Sequence, residues 1–409
     1  MNKASEILIV GAGPAGCSVA LCLSQMGISS TLVDKEKFPR DKICGDALSG
    51  KAVEVLNKLD KTYVSELNRD AHFLGSWGVS FVAPNGERLR VPFRTKKENA
   101  MPPGFLAKRV DFDNYLFQKV KASPLVNILE ETEIRQYRRE GNEIAAETID
   151  GKTIRAKIVV ACDGAYSSFS KSIAGLTTEP AHNCFGLRAY YEGVQELDNE
   201  NFIELHFIKD MLPGYFWIFP LPNGQANVGA GIRADKLTDK KINLKKAFEK
   251  VVHENERIAP RFANAKRSGD VKLFGLPLGS KKRKLSGSNY LLCGDAAQLI
   301  DPFTGEGIGN AMMSGWFAAQ QIQRCMESNN FTEKFMAQYD KELYHRLWSE
   351  LQLSYRMQQL VNYPSLFNFV VKKANNNPVL SETISCMFED LDMRSRLKDP
   401  LFYFKLLFS

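Results

Sequence analysis

Histidine is scarce in this chain, five in 409 residues, and the eight cysteines never stand at C-x-x-C spacing. Without paired thiols or clustered imidazoles, no zinc site is expected. The cysteines, at 17, 22, 44, 162, 184, 293, 325 and 386, read as free thiols in a reducing cytoplasm. No run of eighteen apolar residues is present, so no membrane-spanning helix is expected. The first apolar run passes straight into a glycine turn, and no signal peptide is expected. Internal repeats, low-complexity linkers and aromatic-plus-basic modules are also missing, which argues against a nucleic-acid partner. Charge of one sign is not in large excess: 54 Lys and Arg face 47 Asp and Glu, for a net +7. Basic clusters such as Lys281-Lys282-Arg283-Lys284 and Lys372-Lys373 read first as solvated faces, with an anionic substrate or membrane surface as the sharper alternative.

What the chain has is glycine in three separated places. Glu6 to Val10 reads as a buried parallel strand, because Ile7, Leu8, Ile9 and Val10 are uninterrupted apolar residues. Gly11-Ala12-Gly13-Pro14-Ala15-Gly16 follows at once, and Cys17 to Met26 has the composition of a helix. In that frame Gly11 makes the tight turn, Gly13 admits a pyrophosphate and Gly16 lets helix and sheet approach. A second apolar strand, Ser30 to Val33, ends in Asp34, 23 residues after Gly11, where a carboxylate accepts ribose hydroxyls. Glu36 competes for that role. The second segment is Cys162-Asp163-Gly164-Ala165. The third is Gly294-Asp295-Ala296-Ala297, followed by Asp301-Pro302 and Gly305-Glu306-Gly307-Ile308. Three segments in this order point to FAD.

Trp77 to Pro92 reads as a hairpin about Pro84-Asn85-Gly86, Arg109 to Val120 as a helix, and Ile128 to Ile134, Glu143 to Thr148 and Thr153 to Val160 as strands. From about 181 to 275 the chain is strand-rich and aromatic, and from about Gly307 it is mostly helical. The expected class is α/β: a discontinuous Rossmann-like FAD-binding domain (1–75, 100–180, 271–330), an antiparallel β-sheet substrate domain (76–99, 181–270) and a helical C-terminal region (331–409).

These residues carry a family resemblance over roughly positions 5 to 325. The chain resembles the geranylgeranyl reductase family, within the FAD-dependent oxidoreductases related to aromatic hydroxylases. The resemblance implies that Asp163-Gly164 is the DG motif near the pyrophosphate, and that Asp295 of Gly294-Asp295 meets the FAD ribitol. It also implies that Arg109 stands against the cofactor. Tyr215-Phe216-Trp217-Ile218-Phe219-Pro220, with Gly229-Ala230-Gly231 beyond, fits that family's Y-x-W-x-F-P…G-x-G pattern. Lys42-Ile43-Cys44-Gly45-Asp46 resembles its cysteine-glycine motif beside the flavin. Two departures stand out: Asp46 replaces a second glycine, and Ser170 stands where many relatives have arginine.

The chemistry expected is oxidoreduction with FAD. Gly305, Gly307 and Ile308 open a helix whose N–H groups and dipole favour the anionic reduced ring, worth about 0.3–2 kcal/mol. Tyr215, Trp217 and Phe219 share one strand face and form an apolar substrate wall, or else an ordinary sheet core. Cys44 is either a small buried hydrophobe or, with Asp46, a proton source at the flavin face. The leading expectation is reduction of carbon–carbon double bonds in an isoprenoid or similar apolar substrate. The rivals are a monooxygenase, a halogenase and an electron-transfer flavoprotein. Tyr215 and Phe219 depart from the halogenase W-x-W-x-I-P pattern. No second glycine fingerprint exists, so NAD(P)H visiting without its own Rossmann site and a reduced ferredoxin-like donor are both open. Phe367 to Val371 and Leu401 to Phe408 suggest a helix end packed on the core or a peripheral membrane contact.

Overall fold

A computed structural model describes residues 3–93 and 100–377. The fold is mixed α/β. Its larger sheet gathers strands from distant parts of the chain, in the order Ser286–Gly287, Tyr290–Leu292, Thr153–Ala161, Lys3–Val10, Ser30–Val33, Val126–Leu129. The central pairs are parallel: Leu8 faces Thr31 on one side and Val159 on the other. Burial on both faces explains the unbroken apolar run, since Ile7, Leu8 and Ile9 are each fully enclosed. All three glycine segments therefore emerge at the carboxyl ends of adjacent parallel strands, where open α/β sheets bind ligands.

Two helices close on this edge. Pro14–Gln25 follows the first glycine turn, and Ile308–Ser328 follows the third. They touch at Gly315, where a Cβ would stand 2.5 Å from the Ala15 carbonyl oxygen.

The second sheet has seven strands, ordered Lys266–Pro277, Asn183–Glu192, Gln225–Arg233, Tyr215–Pro220, Ile203–His206, Gly78–Val82, Arg88–Pro92. One face packs Phe216, Ile218 and Val228 against the amphipathic helix Leu244–Glu254. The other carries Tyr215, Trp217 and Phe219. A small third sheet, Ala47–Leu48, Gly104–Leu106 and Leu74–Ser76, bridges toward the first. The helix Glu333–Leu360 is fastened to the first sheet, where Tyr339 donates to the Leu292 carbonyl at 2.7 Å.

Two sequence expectations need adjusting. The single strand expected over Ile128–Ile134 is two, because Glu131 at φ +52° turns the chain between Val126–Leu129 and Ile134–Glu140. The boundary placed at 270/271 falls inside a strand: Lys266–Pro277 runs on beside Asn183–Glu192 as far as the Asn183–Pro277 pair. The stretch from Leu401 to Phe408 lies outside the described residues.

Candidate functional site

A single cavity of about 830 Å³ runs from the glycine segments to the aromatic face of the second sheet. That is near the upper end of small-molecule sites, about 300–1,000 Å³. At one end it is lined by Gly11, Gly13, Pro14, Ala15, Asp34, Asp163 and Gly164. Gly11, at φ +100°, lies so close to the second segment that a Cβ would stand 2.4 Å from the Cys162 carbonyl oxygen. Gly13 has only Arg40 within 4 Å of such a Cβ, at 3.7 Å, so its bareness serves the cavity rather than the packing. Gly16 does not line the cavity; it lets the helix meet the turn, with a Cβ position 1.9 Å from the Gly11 carbonyl oxygen.

Asp34 accepts the Ala12 N–H at 2.6 Å and the Glu36 N–H at 2.9 Å, and burial raises its pKa. Burial likewise pushes Asp163 up to about 6. Asp163 Oδ1 is enclosed and has no hydrogen-bond partner among the described residues. A cavity-lining carboxylate with an unmet oxygen, beside glycines whose Cβ positions are open, fits a polar ligand such as the dinucleotide of FAD. Ser170, the departure from the family pattern at the end of the second segment, donates to the Ala296 carbonyl at 2.7 Å and ties the second segment to the third.

At the other end lie Lys42, Cys44, Arg109, Gly294, Asp295, Gly305, Gly307 and Ile308. The helix Ile308–Ser328 begins here as expected, yet its first turn is partly committed: Glu306 accepts the Gly309 N–H at 2.6 Å. Pro302 does not line the cavity; its carbonyl accepts Gln358 Nε2 at 2.5 Å and holds the turn from behind. Arg109 is clamped by Asp113 through bonds of 2.6 and 2.7 Å, and Arg40 bonds the same carboxylate at 2.5 Å. Burial raises the Cys44 thiol pKa, opposed by the Arg109 guanidinium beside it. Burial lowers Lys42 to about 8, opposed by Asp295, and its ammonium sits 3.3 Å from the Phe274 ring centroid.

The floor is a grid of three strands. Tyr190, Asn227 and Phe219 form one cross-strand row; Arg188, Gly229 and Trp217 the next; Gly186, Gly231 and Tyr215 the third. Gly229 in the second row makes room for the indole, while Gly231 in the third lies at ordinary contact distance from it. A Cβ on Gly229 would stand 2.1 Å from Trp217 Cζ2, and one on Gly231 3.8 Å from Cζ3. Tyr215 reaches across to the third glycine segment, donating to the Thr304 carbonyl at 2.7 Å. The cysteine loop lies over the same floor: a Cβ on Gly45 would stand 3.0 Å from Phe219 Cε2.

Asp46 is not at the cavity surface. It is fully enclosed between the cysteine loop and the floor, accepting from Tyr190 Oη and from Asn227 Nδ2, both at 2.8 Å. Burial pushes it up to about 6, and its Oδ1 has no partner among the described residues. Its φ of +67° explains the departure from glycine, because Asp is one of the few other residues that tolerate the left-handed region. The residue that sequence reasoning missed is Asn227. The available signal was an amide between Ala226 and Val228 on an otherwise apolar strand.

Among known proteins, the family model described as "FAD binding domain" matches residues 4–349. The chain is 28% identical over 408 residues to a digeranylgeranylglycerophospholipid reductase of Methanococcus vannielii, covering 96% of this chain and 94% of the relative. It is 26% identical over 332 residues to a menaquinone reductase of Mycobacterium tuberculosis, covering 79% and 77%. A solved geranylgeranyl bacteriochlorophyll reductase-like protein from Thermoplasma acidophilum superposes with a TM-score of 0.82 at 22% identity, over 98% of this chain and 100% of its own; the likeness is one of fold.

Proposed function

Because the chain belongs to the FAD binding domain family, we propose that it is an FAD-dependent reductase of carbon–carbon double bonds in an isoprenoid or similarly apolar substrate. The observation that carries this reading is the continuity of one cavity from the three glycine segments to the Tyr215, Trp217 and Phe219 face. The similarity to prenyl-lipid reductases over nearly the whole chain supports it.

Gly11, Gly13, Pro14, Ala15, Asp34, Asp163 and Gly164 would hold the dinucleotide. Lys42, Arg109, Gly294, Asp295, Gly305, Gly307 and Ile308 would hold the flavin end. Bound and reduced, FAD supplies hydride. The aromatic floor holds an apolar chain and excludes water by burying its surface. Cys44 holds a proton, since burial keeps its thiol neutral, and Arg109 stabilises the thiolate left once that proton moves to the substrate carbon. The electron donor is open between NAD(P)H and a ferredoxin-like protein.

Membrane contact through the C-terminal region belongs to the same reading. In the helix Pro364–Asn376, Phe367 and Val371 are buried in the core, so the contact would use its other face, where Leu366 and Phe369 are about half exposed beside Tyr363. No helix among the described residues is long and apolar enough to cross a membrane.

The test is anaerobic: chemically reduced holoprotein is mixed with geranylgeranyl diphosphate or a geranylgeranyl lipid while flavin absorbance is followed. Reoxidation without oxygen, with two hydrogens gained by the product, is expected. No reoxidation until oxygen is admitted, with oxygen then incorporated into the substrate, would replace this reading with an oxygenase.

A further inference from the structure

One buried amide joins every part of the substrate end. Asn227 Oδ1 accepts the Trp217 indole N–H at 2.8 Å. Its Nδ2 donates to the Cys44 carbonyl at 2.7 Å and to Asp46 Oδ2 at 2.8 Å. The side chain is fully enclosed and uses both amide hydrogens and its oxygen, so it has one rotamer and one flip state consistent with all three partners. Tyr190, its neighbour in the cross-strand row, supplies the second bond to Asp46.

The three partners belong to different structures. Trp217 is the middle of the aromatic floor, Cys44 carries the thiol at the cavity wall, and Asp46 sits between the Cys44 loop and the floor in a backbone conformation that few residues adopt. The loop is held from its far side, where the Ala107 N–H donates to the Asp46 carbonyl at 3.0 Å and Ala47–Leu48 pairs with Gly104–Leu106; toward the floor, Arg188 bonds Asp41 at 2.8 Å, and Asn227 and Tyr190 bond the Cys44–Asp46 end. At Gly45 the missing side chain leaves room for Phe219.

We propose that Asn227 is the positioning residue that sets the spacing between the Cys44 loop and the Trp217 floor, and thereby the width of the slot that accepts an apolar chain. Asp46 and Tyr190 act through it: they orient the amide and do not touch the substrate. This rests on the reading of the cavity as a substrate slot, but the spacing it describes is a property of the protein alone. A slot tied by hydrogen bonds rather than by apolar packing discriminates by geometry, because a shifted indole changes which chain fits.

The experiment compares wild type with Asn227→Leu, Trp217→Phe and the exchange pair Asp46→Asn with Asn227→Asp. Asn227→Leu unties all three partners and Trp217→Phe only the indole, whereas the exchange keeps the indole bond and a bond between 46 and 227 but leaves the Cys44 carbonyl without its donor. Iodoacetamide alkylation of Cys44, followed by peptide mapping on flavin-free and holoprotein, reads loop position without turnover. Asn227→Leu is expected to raise that rate several-fold and the KM for the geranylgeranyl substrate about tenfold, with kcat changed far less. Trp217→Phe is expected to raise alkylation as well, which keeps the test decisive if Asn227→Leu does not fold. The exchange pair is expected to keep alkylation and KM raised, because the Cys44 carbonyl then faces a carboxylate oxygen in place of its donor. Unchanged alkylation in folded Asn227→Leu or Trp217→Phe, or an exchange pair that alkylates like wild type, would overturn the proposal. If wild type reduces no prenyl substrate while alkylation responds as expected, the reading of the reaction fails and the positioning role stands.

Discussion

Gly11 and the Cys162 carbonyl stand nearly in contact: a Cβ on Gly11 would be 2.4 Å from that oxygen. The Cys162 N–H donates to the Val10 carbonyl at 2.8 Å, so the backbone itself fastens the first and second glycine segments together. The glycines of one motif therefore divide into two kinds, those the fold requires and those the cavity requires.

Alanine substitutions separate the two. Gly11→Ala and Gly16→Ala meet backbone atoms at 2.4 and 1.9 Å and are expected to destabilise the flavin-free protein by about 1–3 kcal/mol or more. Gly13→Ala meets nothing closer than 3.7 Å and is expected to melt like wild type. It should nevertheless lose flavin on gel filtration, because its new methyl projects into the cavity. Equal melting of all three variants would refute the division.

The enclosed Asp46 carboxyl makes stability depend on pH. Its pKa in the folded protein, about 6, lies above the ordinary 3.8, so the penalty for ionising it is absent below pH 4 and complete above about pH 6. Asp46→Asn removes that penalty and is expected to stabilise the protein by up to about 3 kcal/mol at pH 7–8. The gain should vanish near pH 4, as read by urea unfolding across the range. A variant less stable than wild type at pH 8 would contradict the assignment. An acid kept at this cost fits a group retained for positioning.

Asp113 is expected to be structurally indispensable. It is fully buried between Arg109 and Arg40, and both guanidinium groups hold its carboxyl below the ordinary carboxylate range despite burial. Asp113→Ala leaves Arg109 buried without its clamp and should cost about 3–5 kcal/mol. Chemical denaturation measures this. Alkylation of Cys44 in the same variant should also change, since Arg109 stands beside that thiol.

Lys51 and Glu350 form an enclosed ion pair at 2.9 Å, with Arg346 bonded to the other Glu350 oxygen at 2.8 Å. Lys51→Met alone should cost about 3–5 kcal/mol, and Lys51→Met with Glu350→Leu should recover only part of that loss, because Lys51 also faces the buried Glu306 and Asp301 carboxylates. Urea midpoints of the two single variants and the double one decide it.

The half-exposed face of Pro364–Asn376 supplies a final check. Leu366→Ser with Phe369→Ser is expected to lower co-sedimentation with anionic vesicles and to leave the melting temperature nearly unchanged. Undiminished vesicle binding would remove this helix from the proposed membrane contact.

Much of this was written in the sequence because it depends on short-range rules. A buried parallel strand needs an apolar run, a tight turn needs glycine, and a strand facing a cavity alternates with period two. So Ile7 to Val10, Gly11 to Gly16 and the Tyr215–Trp217–Phe219 face could be read without coordinates, and their spacing along the chain pointed to FAD. The break at Glu131 and the continuation of Lys266–Pro277 across the expected boundary could not, because each depends on a distant strand.

What only the tertiary structure decided is how side chains far apart in sequence meet. Asn227 and Cys44 are 183 positions apart, and Lys51 and Glu350 are 299 apart. No local pattern brings such pairs together; they follow from strand register and helix packing, which settle when the whole core is buried. For the same reason the sequence could put Cys44 and Asp46 in one motif but could not tell which faces the cavity. Register across three strands decided that, turning Asp46 toward Tyr190 and Asn227 and leaving the thiol at the cavity wall.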